Sequence, residues 1–272
     1  MIPFTKAHAC GNDFLIVTDD AAKDHDWANL TRRLCARNTG VGADGIEFFA
    51  WAGPKSGRIR LHNADGSIAE ISGNGTRCVA AWMARERGLE PGDELEIATD
   101  AGVRRCRIEA RHGHTVEVTT GMAVPTFEPK TLTVFDELIV QGTVVSTGNP
   151  HFVIMVDDAS FELGKWSWRS VGAEICAHSD FPNQTNVEFL HVSGNHEIEI
   201  RIFERGVGPT SSSGTGSSAA AIAAIALGLA SSPLTVVAPG GAQTVTWDGP
   251  GTELKLTGPA ALIARGEAWY DG

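Results

Sequence analysis

The sequence predicts an α+β protein made of two similar domains, because a Gly-rich turn leading into an Ala-rich apolar run occurs twice. The first turn is Ser72-Gly73-Asn74-Gly75 and the second is Ser213-Gly214-Thr215-Gly216, which places Ser72 and Ser213 141 positions apart in a chain of 272 residues. A strand-like segment follows each run, near Ala101-Gly102 and near Gly240-Gly241. A repeat of half the chain length predicts two domains of one architecture.

Each Gly-rich turn is expected to begin a helix. The N-terminus of a helix carries backbone N–H groups without intrahelical acceptors and a partial positive charge, and both favour anions. Two such helix ends directed at one shared cleft would bind a small carboxylate. Ser72 and Ser213 would then offer one reactive side chain on each face of the ligand.

Composition excludes several classes of protein. Hydrophobic residues make up 42% and charged residues 20% of the chain, as in an ordinary globular protein. The net charge of −11 disfavours nucleic acid and anionic membrane surfaces as partners. The five cysteines include no CxxC pair, which favours a reducing compartment over a disulfide framework or a zinc site, so we expect no metal. The segment Met1–His8 has no apolar signal core, and we therefore expect the cytoplasm.

Local patterns predict alternating strands and helices. Phe14–Val17 reads as a strand, Trp27–Arg37 has helical spacing of its apolar residues, and Ile46–Phe49 pairs with Ile59–His62 as a hairpin. The pattern restarts near Gly121–Pro125, where we place the domain boundary. Further strands are predicted at 94–98, 103–109, 115–119, 138–140, 144–146, 152–156, 188–192, 197–203, 235–237 and 244–247.

Three polar segments outside the repeated turn are candidates for a site. Asn63-Ala64-Asp65-Gly66-Ser67 precedes the first Gly-rich turn, although Asn and Asp before Gly are explained equally well by a tight turn. Gly148-Asn149-Pro150-His151 places an amide and an imidazole at a strand start, although a lone His is more often structural than catalytic. Glu204-Arg205 ends a strand just before a Gly-rich loop, and an Arg fork suits a carboxylate. An isolated pair of this kind is usually only solvated.

Two nucleotide-binding motifs are absent from the sequence. Neither Gly-rich turn fits the dinucleotide fingerprint, because no acidic residue follows a strand at the required distance. The chain also has no GxxxxGK[ST] segment, which argues against nucleotide hydrolysis.

Taken together and in order, the motifs closely resemble those of the diaminopimelate epimerase family. The resemblance covers nearly the whole chain and ends with Thr257-Gly258-Pro259-Ala260. The motifs that carry it are GNDF (11–14), GVGADG (40–45), NADGS (63–67), SGNGTRC (72–78), GNPH (148–151), TNVEF (185–189), ERGVG (204–208) and SGTGSSAA (213–220).

The resemblance implies a fold of two pseudo-symmetric α/β domains, each a sheet wrapped around a central helix, with the active site in the interdomain cleft. It places an N-terminal domain at 1–120 and a C-terminal domain at 121–261, with the segment 262–272 returning to the first domain. It implies cofactor-independent epimerisation of LL-diaminopimelate to meso-diaminopimelate, in the biosynthesis of lysine and peptidoglycan precursors, by two-base proton transfer at the α-carbon. A homodimer is the family's common assembly.

The resemblance also assigns roles to individual residues. Ser72 and Ser213 occupy the acid and base positions, and His151 and Glu204 are the family partners able to tune them. Gly73, Asn74, Gly214 and Thr215 supply N–H groups to the reacting carboxylate, and Asn63, Asn186 and Arg205 hold the distal amino-acid end. The full set of expected substrate-binding residues is Asn12, Asn63, Gly73, Asn74, Asn149, Asn186, Glu204, Arg205, Gly214 and Thr215.

The chain departs from the family at the reacting groups, because the family has Cys where this chain has Ser72 and Ser213. A thiol titrates near pH 8.5, whereas a serine alkoxide requires a far higher pH or a strong partner base. Our leading interpretation is a natural variant that keeps the epimerase role. The alternatives are a diverged racemase, isomerase or dehydratase, and a catalytically impaired amino-acid-binding form, including an engineered Cys→Ser form.

Overall fold

The computed structural model describes residues 1–69 and 72–271, and the chain forms two compact units. Unit 1 comprises Met1–Gly121 together with the segment from Thr257 onward, and unit 2 comprises Met122–Leu256.

The described residues of unit 1 form three helices and most of the N-terminal strands. The helices are α1 (Asp19–Ala22), α2 (Trp27–Cys35) and α3 (Gly73–Arg87). The strands are β1 (Ile2–Ala9), β2 (Asn12–Thr18), β3 (Gly45–Gly53), β4 (Ser56–Asn63), β5 (Ile68–Ala69), β6 (Glu94–Thr99), β7 (Gly102–His112), β8 (Thr115–Gly121) and, from the C-terminal end, β17 (Lys255–Ala268).

The sheet of unit 1 closes on itself around α3. Strands pair in the order β1, β2, β3, β4, β6, β7, β8 and β17, and β17 pairs back with β1. The inner face of this sheet packs on Cys78–Ala84 of α3, and all of these residues are buried. A helix that is apolar on every side is stable only when it is enclosed, and the closed sheet provides that enclosure. On the outer face, Trp27 of α2 stacks on Phe48 of β3.

Unit 2 contains two helices and eight strands. The helices are α4 (Trp168–Cys176) and α5 (Gly214–Ala226). The strands are β9 (Thr126–Val134), β10 (Leu138–Ser146), β11 (Pro150–Met155), β12 (Asn186–Gly194), β13 (Glu197–Glu204), β14 (Gly208–Thr210), β15 (Leu234–Ala238) and β16 (Gly241–Thr246).

The sheet of unit 2 packs one face on α5 and the other on α4. Strands pair in the order β9, β10, β11, β12, β13, β15 and β16. Helix α5 is buried from Gly214 to Ala224, and its alanines let the surrounding strands approach closely. Helix α4 packs outside, where Gly172 lies against the ring of Phe203.

The two units repeat one pairing pattern. In unit 1, β2–β3 is parallel, β3–β4 antiparallel, β4–β6 parallel and β6–β7 antiparallel. In unit 2, β11–β12, β12–β13, β13–β15 and β15–β16 follow the same sequence of directions. The central helix lies between corresponding strands in both units. The fold class predicted from the repeat, two similar α/β domains each with a central helix, is therefore confirmed.

Several elements differ from their predictions. The segments predicted as separate strands at 138–140 and 144–146 form one strand, β10. Strands β1 and β9 and helix α4 were not predicted. Strand β9 contains Pro129 and is mostly exposed, so it lacks the alternation of apolar residues that predicts a strand. Helix α4 contains Gly172, which weakens the sequence signal for a helix.

No helix within residues 1–69 and 72–271 is long and apolar enough to cross a membrane.

Candidate active site

Ser72 is the N-cap of α3, as the repeat predicts. Its backbone is extended, with φ −127° and ψ 123°, and its Oγ accepts a hydrogen bond from the Gly75 N–H at 3.0 Å. The Thr76 hydroxyl donates to the Ser72 carbonyl oxygen at 2.8 Å. Capping fixes the Ser72 hydroxyl at the positive end of a buried helix, where an anion is favoured.

A chain of amides holds the first turn of α3 against the start of β2. Asn74 donates from Nδ2 to Asn12 Oδ1 at 3.1 Å, and Asn12 donates from Nδ2 to Asp44 Oδ2 at 2.6 Å. The buried Arg77 donates to Asn74 Oδ1 at 2.6 Å. The structure thus brings Asn12 and Asn74 together, each oriented by a charged neighbour.

Asp13 and its cations anchor this corner of unit 1. Burial opposes ionisation of Asp13, but hydrogen bonds and charge from Arg37 and Lys6 outweigh it and hold the pKa of the Asp13 carboxyl below its usual range. Arg37 also bridges to Asp44 at 2.6 Å. Because Asp44 holds Asn12, this ionic network keeps the amide chain in place.

A buried carboxyl, Glu47 of β3, lies directly against the first turn of α3. Its side chain is inaccessible to solvent, and neither carboxyl oxygen has a hydrogen-bond partner. A Cβ added to Gly75 would overlap Oε1 of Glu47 and would lie 3.2 Å from Cβ of Ser72. Glu47 and Ser72 are therefore neighbours across Gly75. Burial raises the pKa of Glu47 to about 8.

Ser213 is the N-cap of α5 and repeats the geometry of Ser72. Its backbone has φ −145° and ψ 127°, and its Oγ accepts from the Gly216 N–H at 3.2 Å. The Thr215 hydroxyl lies 3.4 Å from the Ser213 hydroxyl and accepts a hydrogen bond from Asn149 Nδ2 at 3.2 Å. The Gly-rich turn of unit 2 thus gathers three of the predicted residues, Asn149, Ser213 and Thr215.

His151 and Glu188 form a buried pair beside this turn. His151 Nδ1 lies 2.8 Å from Glu188 Oε1, and both side chains are inaccessible to solvent. His151 Nε2 lies 3.0 Å from Asn149 Oδ1, which connects the pair to Thr215. Burial raises the pKa of Glu188, and the charge and hydrogen bond of His151 oppose that rise. A Cβ on Gly216 would lie 2.7 Å from Glu188 Oε1 and 3.3 Å from Ser213 Oγ.

Asn186 and Arg205 are brought together at the end of β13. Asn186 Oδ1 accepts from the Arg205 backbone N–H at 2.9 Å, and Asn186 Nδ2 donates to the Pro150 carbonyl at 3.2 Å. The Arg205 guanidinium donates to the Asn183 carbonyl at 3.0 Å. The Asn186 amide therefore supports the loop that carries Arg205.

Asn63 and Glu204 end corresponding strands in the two units. Asn63 closes β4 and Glu204 closes β13. Asn63 is exposed and donates to Ser67 Oγ at 3.1 Å, and the Gly66 N–H donates to the Asn63 carbonyl at 2.7 Å. The predicted tight turn at 63–67 therefore forms. The resemblance implies that His151 and Glu204 each tune one of the two serines, and in the structure the His151 ring lies against Glu188.

Sequence reasoning gave no role to Glu47 or Glu188. A signal was present, because both are charged residues inside apolar strand segments, Ile46–Phe49 and Val187–Leu190, and they stand 141 positions apart. That is the spacing of Ser72 and Ser213. Each unit thus combines a serine cap, a Gly-rich first turn and a buried glutamate.

Comparison with solved structures identifies the fold class. A phenazine biosynthesis protein of the PhzF family from Bacillus anthracis matches with a TM-score of 0.73 at 17% identity, covering 99% of each chain. A hydroxyproline epimerase from Agrobacterium vitis matches with a TM-score of 0.70 at 16% identity, covering 98% of this chain and 91% of that one. The chain therefore shares its fold with these two proteins.

The sequence comparisons are more specific. The model of the family described as diaminopimelate epimerase matches residues 4–126 and 143–263. The diaminopimelate epimerase of Desulforudis audaxviator is 37% identical over 281 residues, and that of Moorella thermoacetica is 36% identical over 278, each covering 97% of this chain and 98% of the relative. The chain belongs to the diaminopimelate epimerase family.

Proposed function

We infer that the chain is an isomerase that interconverts LL- and meso-diaminopimelate without a cofactor. Membership of the family over almost the whole chain supports the substrate, and the two serine-capped half-sites support the chemistry. The observation that carries the proposal is the repeat itself: Ser72 and Ser213 each cap a buried helix, 141 positions apart.

Inversion requires an acid on one face of the α-carbon and a base on the other. We place Ser72 and Ser213 in these two roles. The helix N-termini that follow them bind the substrate carboxylate and stabilise the enediolate-like charge that develops when the α-proton leaves. Asn12 and Asn149, which the structure ties to the two Gly-rich turns, keep those turns in position.

The distal end of the substrate is a second α-amino acid head. We propose that Arg205 binds its carboxylate, since a guanidinium fork matches a carboxylate, and that Asn63, Asn186 and Glu204 complete the recognition. The backbone N–H of Arg205 is already held by Asn186. This support favours a fixed position for the Arg205 loop.

The serines themselves favour a second candidate function. A thiolate is populated near neutral pH and an alkoxide is not, so a pair of unassisted serines would bind the amino acid and invert it slowly. A racemase or dehydratase for another substrate, or a binding form with little activity, would share the same half-sites.

Incubation of LL-diaminopimelate with the protein in heavy water separates these functions. An epimerase exchanges the α-hydrogen for deuterium and forms the meso isomer, which proton NMR and chiral chromatography detect. A protein that binds the substrate by calorimetry but shows neither exchange nor inversion is a binding form. A protein that neither binds nor inverts diaminopimelate contradicts the assignment, and proline and hydroxyproline are then the substrates to test.

We also propose a cytoplasmic location and a homodimer. All five cysteines are buried and free, which suits a reducing compartment. Analytical ultracentrifugation of the purified protein tests the dimer. A measured mass equal to that of one chain would contradict it.

A further inference from the structure

A buried cation lies near the start of α3. The side chain of Arg77 is inaccessible to solvent, and its Nη2 donates to Asn74 Oδ1 at 2.6 Å. Its Nε and Nη1 atoms have no hydrogen-bond partner among the residues that the structure describes. The thiols of Cys10 and Cys78 interact with the guanidinium, but sulfur is a weak acceptor. Burial lowers the pKa of Arg77, yet a guanidinium stays charged at neutral pH, so unit 1 contains a buried positive charge that is only partly compensated.

The fold does not require this charge. Burial of a cation without a full set of acceptors is unfavourable, and an apolar side chain would occupy the space at a lower cost in free energy. The position 141 residues later, in the matching helix α5, is Ser218, whose hydroxyl donates to the Gly214 carbonyl at 2.8 Å. A serine-capped central helix therefore forms in unit 2 with a neutral residue at this position. The cation in unit 1 points to a role in the half-site.

Arg77 begins a chain of hydrogen bonds that has a fixed direction. Arg77 donates to the Asn74 carbonyl oxygen, Asn74 donates to the Asn12 carbonyl oxygen, and Asn12 donates to the Asp44 carboxylate. A side-chain amide can turn over and exchange its oxygen with its nitrogen. A guanidinium can only donate and a carboxylate can only accept, so one orientation of each amide satisfies both ends. The cation and the carboxylate together fix both amides.

The matching amide of unit 2 points the other way. Asn12 lies two residues before Phe14, the first paired residue of β2 with β3, and Asn149 lies two residues before His151, the first paired residue of β11 with β12. Asn149 donates from Nδ2 to the Thr215 hydroxyl, and its Oδ1 lies 3.0 Å from His151 Nε2. Asn12 thus directs its oxygen at the first turn of α3, whereas Asn149 directs its nitrogen at that of α5. The difference follows from the groups at the two ends of each chain.

We propose that Arg77 is a positioning residue of the first half-site, which fixes the Asn74 and Asn12 amides and places a permanent positive charge beside the turn that receives the substrate carboxylate. This proposal rests on the proposed function. An Asn74 carbonyl oxygen turned toward the ligand would repel a carboxylate, and the bond to Arg77 keeps that oxygen on the protein side. The charge lies in the protein interior, where it is screened less than it would be in water.

The variant Arg77→Met tests the proposal, because methionine fills much of the space of the arginine stem and carries neither charge nor donor. In calorimetry with the full-length protein, its dissociation constant for diaminopimelate should rise about tenfold or more, and KM for epimerisation should rise with it. Arg77→Lys keeps a charge and a donor, so it should recover most of the affinity. Arg85→Met, at an exposed position of the same helix, is the matched control and should leave both constants unchanged.

A merely structural role gives a different result. Arg77→Met would then unfold at a lower urea concentration while its dissociation constant and KM stayed unchanged, and that result overturns the proposal. An Arg77→Lys variant that binds as weakly as Arg77→Met also overturns it, since the charge would then have no effect. If Arg77→Met does not fold, Asp44→Asn decides, because this partly exposed side chain is the accepting end of the chain. A raised KM in Asp44→Asn supports the proposal, and an unchanged KM overturns it.

A failure of the proposed function is recognised separately. If the unaltered protein neither binds nor inverts diaminopimelate, the proposed function fails, and NMR of ¹⁵N-asparagine-labelled protein decides the inference. The side-chain amide signals of Asn12, which lies one amide further along the chain than Asn74, should shift in Arg77→Met and stay in place in Arg85→Met. Asn12 amide signals that are the same in Arg77→Met and in the unaltered protein overturn the inference.

Discussion

Replacing Glu47 by glutamine should remove a specific pH dependence from the stability of the protein. The pKa of Glu47 is raised from 4.5 to about 8 by burial. Between these two values the folded state keeps the proton that the unfolded state has lost, so the free energy of unfolding falls as pH rises. The contribution is full below the unfolded pKa and disappears as pH rises through the folded pKa. Glutamine at this position does not titrate.

The size of the effect follows from the shift. Each pKa unit corresponds to about 1.4 kcal/mol, so the free energy of unfolding should fall by about 3 kcal/mol between about pH 5 and about pH 7.5 because of this group. Cys78 of α3 interacts with Glu47, but burial raises the pKa of its thiol above this range, so it stays neutral. Other groups titrate equally in both proteins and cancel in the difference.

Urea denaturation followed by circular dichroism at a series of pH values measures this difference. The unaltered protein should lose stability relative to Glu47→Gln as pH rises across the window, with the same dependence on urea concentration in both. A difference that is independent of pH, or that grows in the opposite direction, would refute the reasoning that Glu47 is a buried neutral acid.

Three further outcomes are expected. Gly75→Ala should destabilise the protein by about 1–3 kcal/mol in urea denaturation because its Cβ overlaps Glu47, and combining it with Glu47→Ala should recover part of that loss; equal losses in both would contradict the contact. Ser72→Cys with Ser213→Cys should raise turnover by orders of magnitude over the unaltered chain, with either single change giving little; equal turnover of all forms would mean that the serines are fully activated. Calorimetry should show much tighter binding of diaminopimelate than of alanine, since in the proposed function Arg205 binds the distal carboxylate that alanine lacks; equal affinity would favour a shorter substrate.

The sequence was most informative where a local pattern was strong. The Ser-Gly-x-Gly turns predicted both helix starts, and Ser72 and Ser213 do cap α3 and α5. The hairpin of β3 and β4 and the helix at Trp27 were equally predictable from apolar periodicity. These elements carry their own signals, because capping and periodicity act over a few residues.

Contacts between distant segments were not predictable in this way. Glu188 lies 37 positions from His151, and Glu47 lies 28 from Gly75, so only the pairing of strands around each helix brings them together. Strand β9 was not predicted because most of its side chains are exposed and Pro129 interrupts the sequence pattern of a strand. A comparison of the two halves for charged residues inside apolar strands would have found both glutamates.

The central claim is that two serine-capped half-sites move protons on opposite faces of one α-carbon. Single Ser72→Ala and Ser213→Ala variants test it most directly, with α-hydrogen exchange followed separately from LL- and from meso-diaminopimelate in heavy water. The account predicts that neither variant inverts the substrate and that each still exchanges only one epimer, a different one in each variant. Inversion by either single variant at the rate of the unaltered protein, or loss of the same epimer's exchange in both, would contradict it.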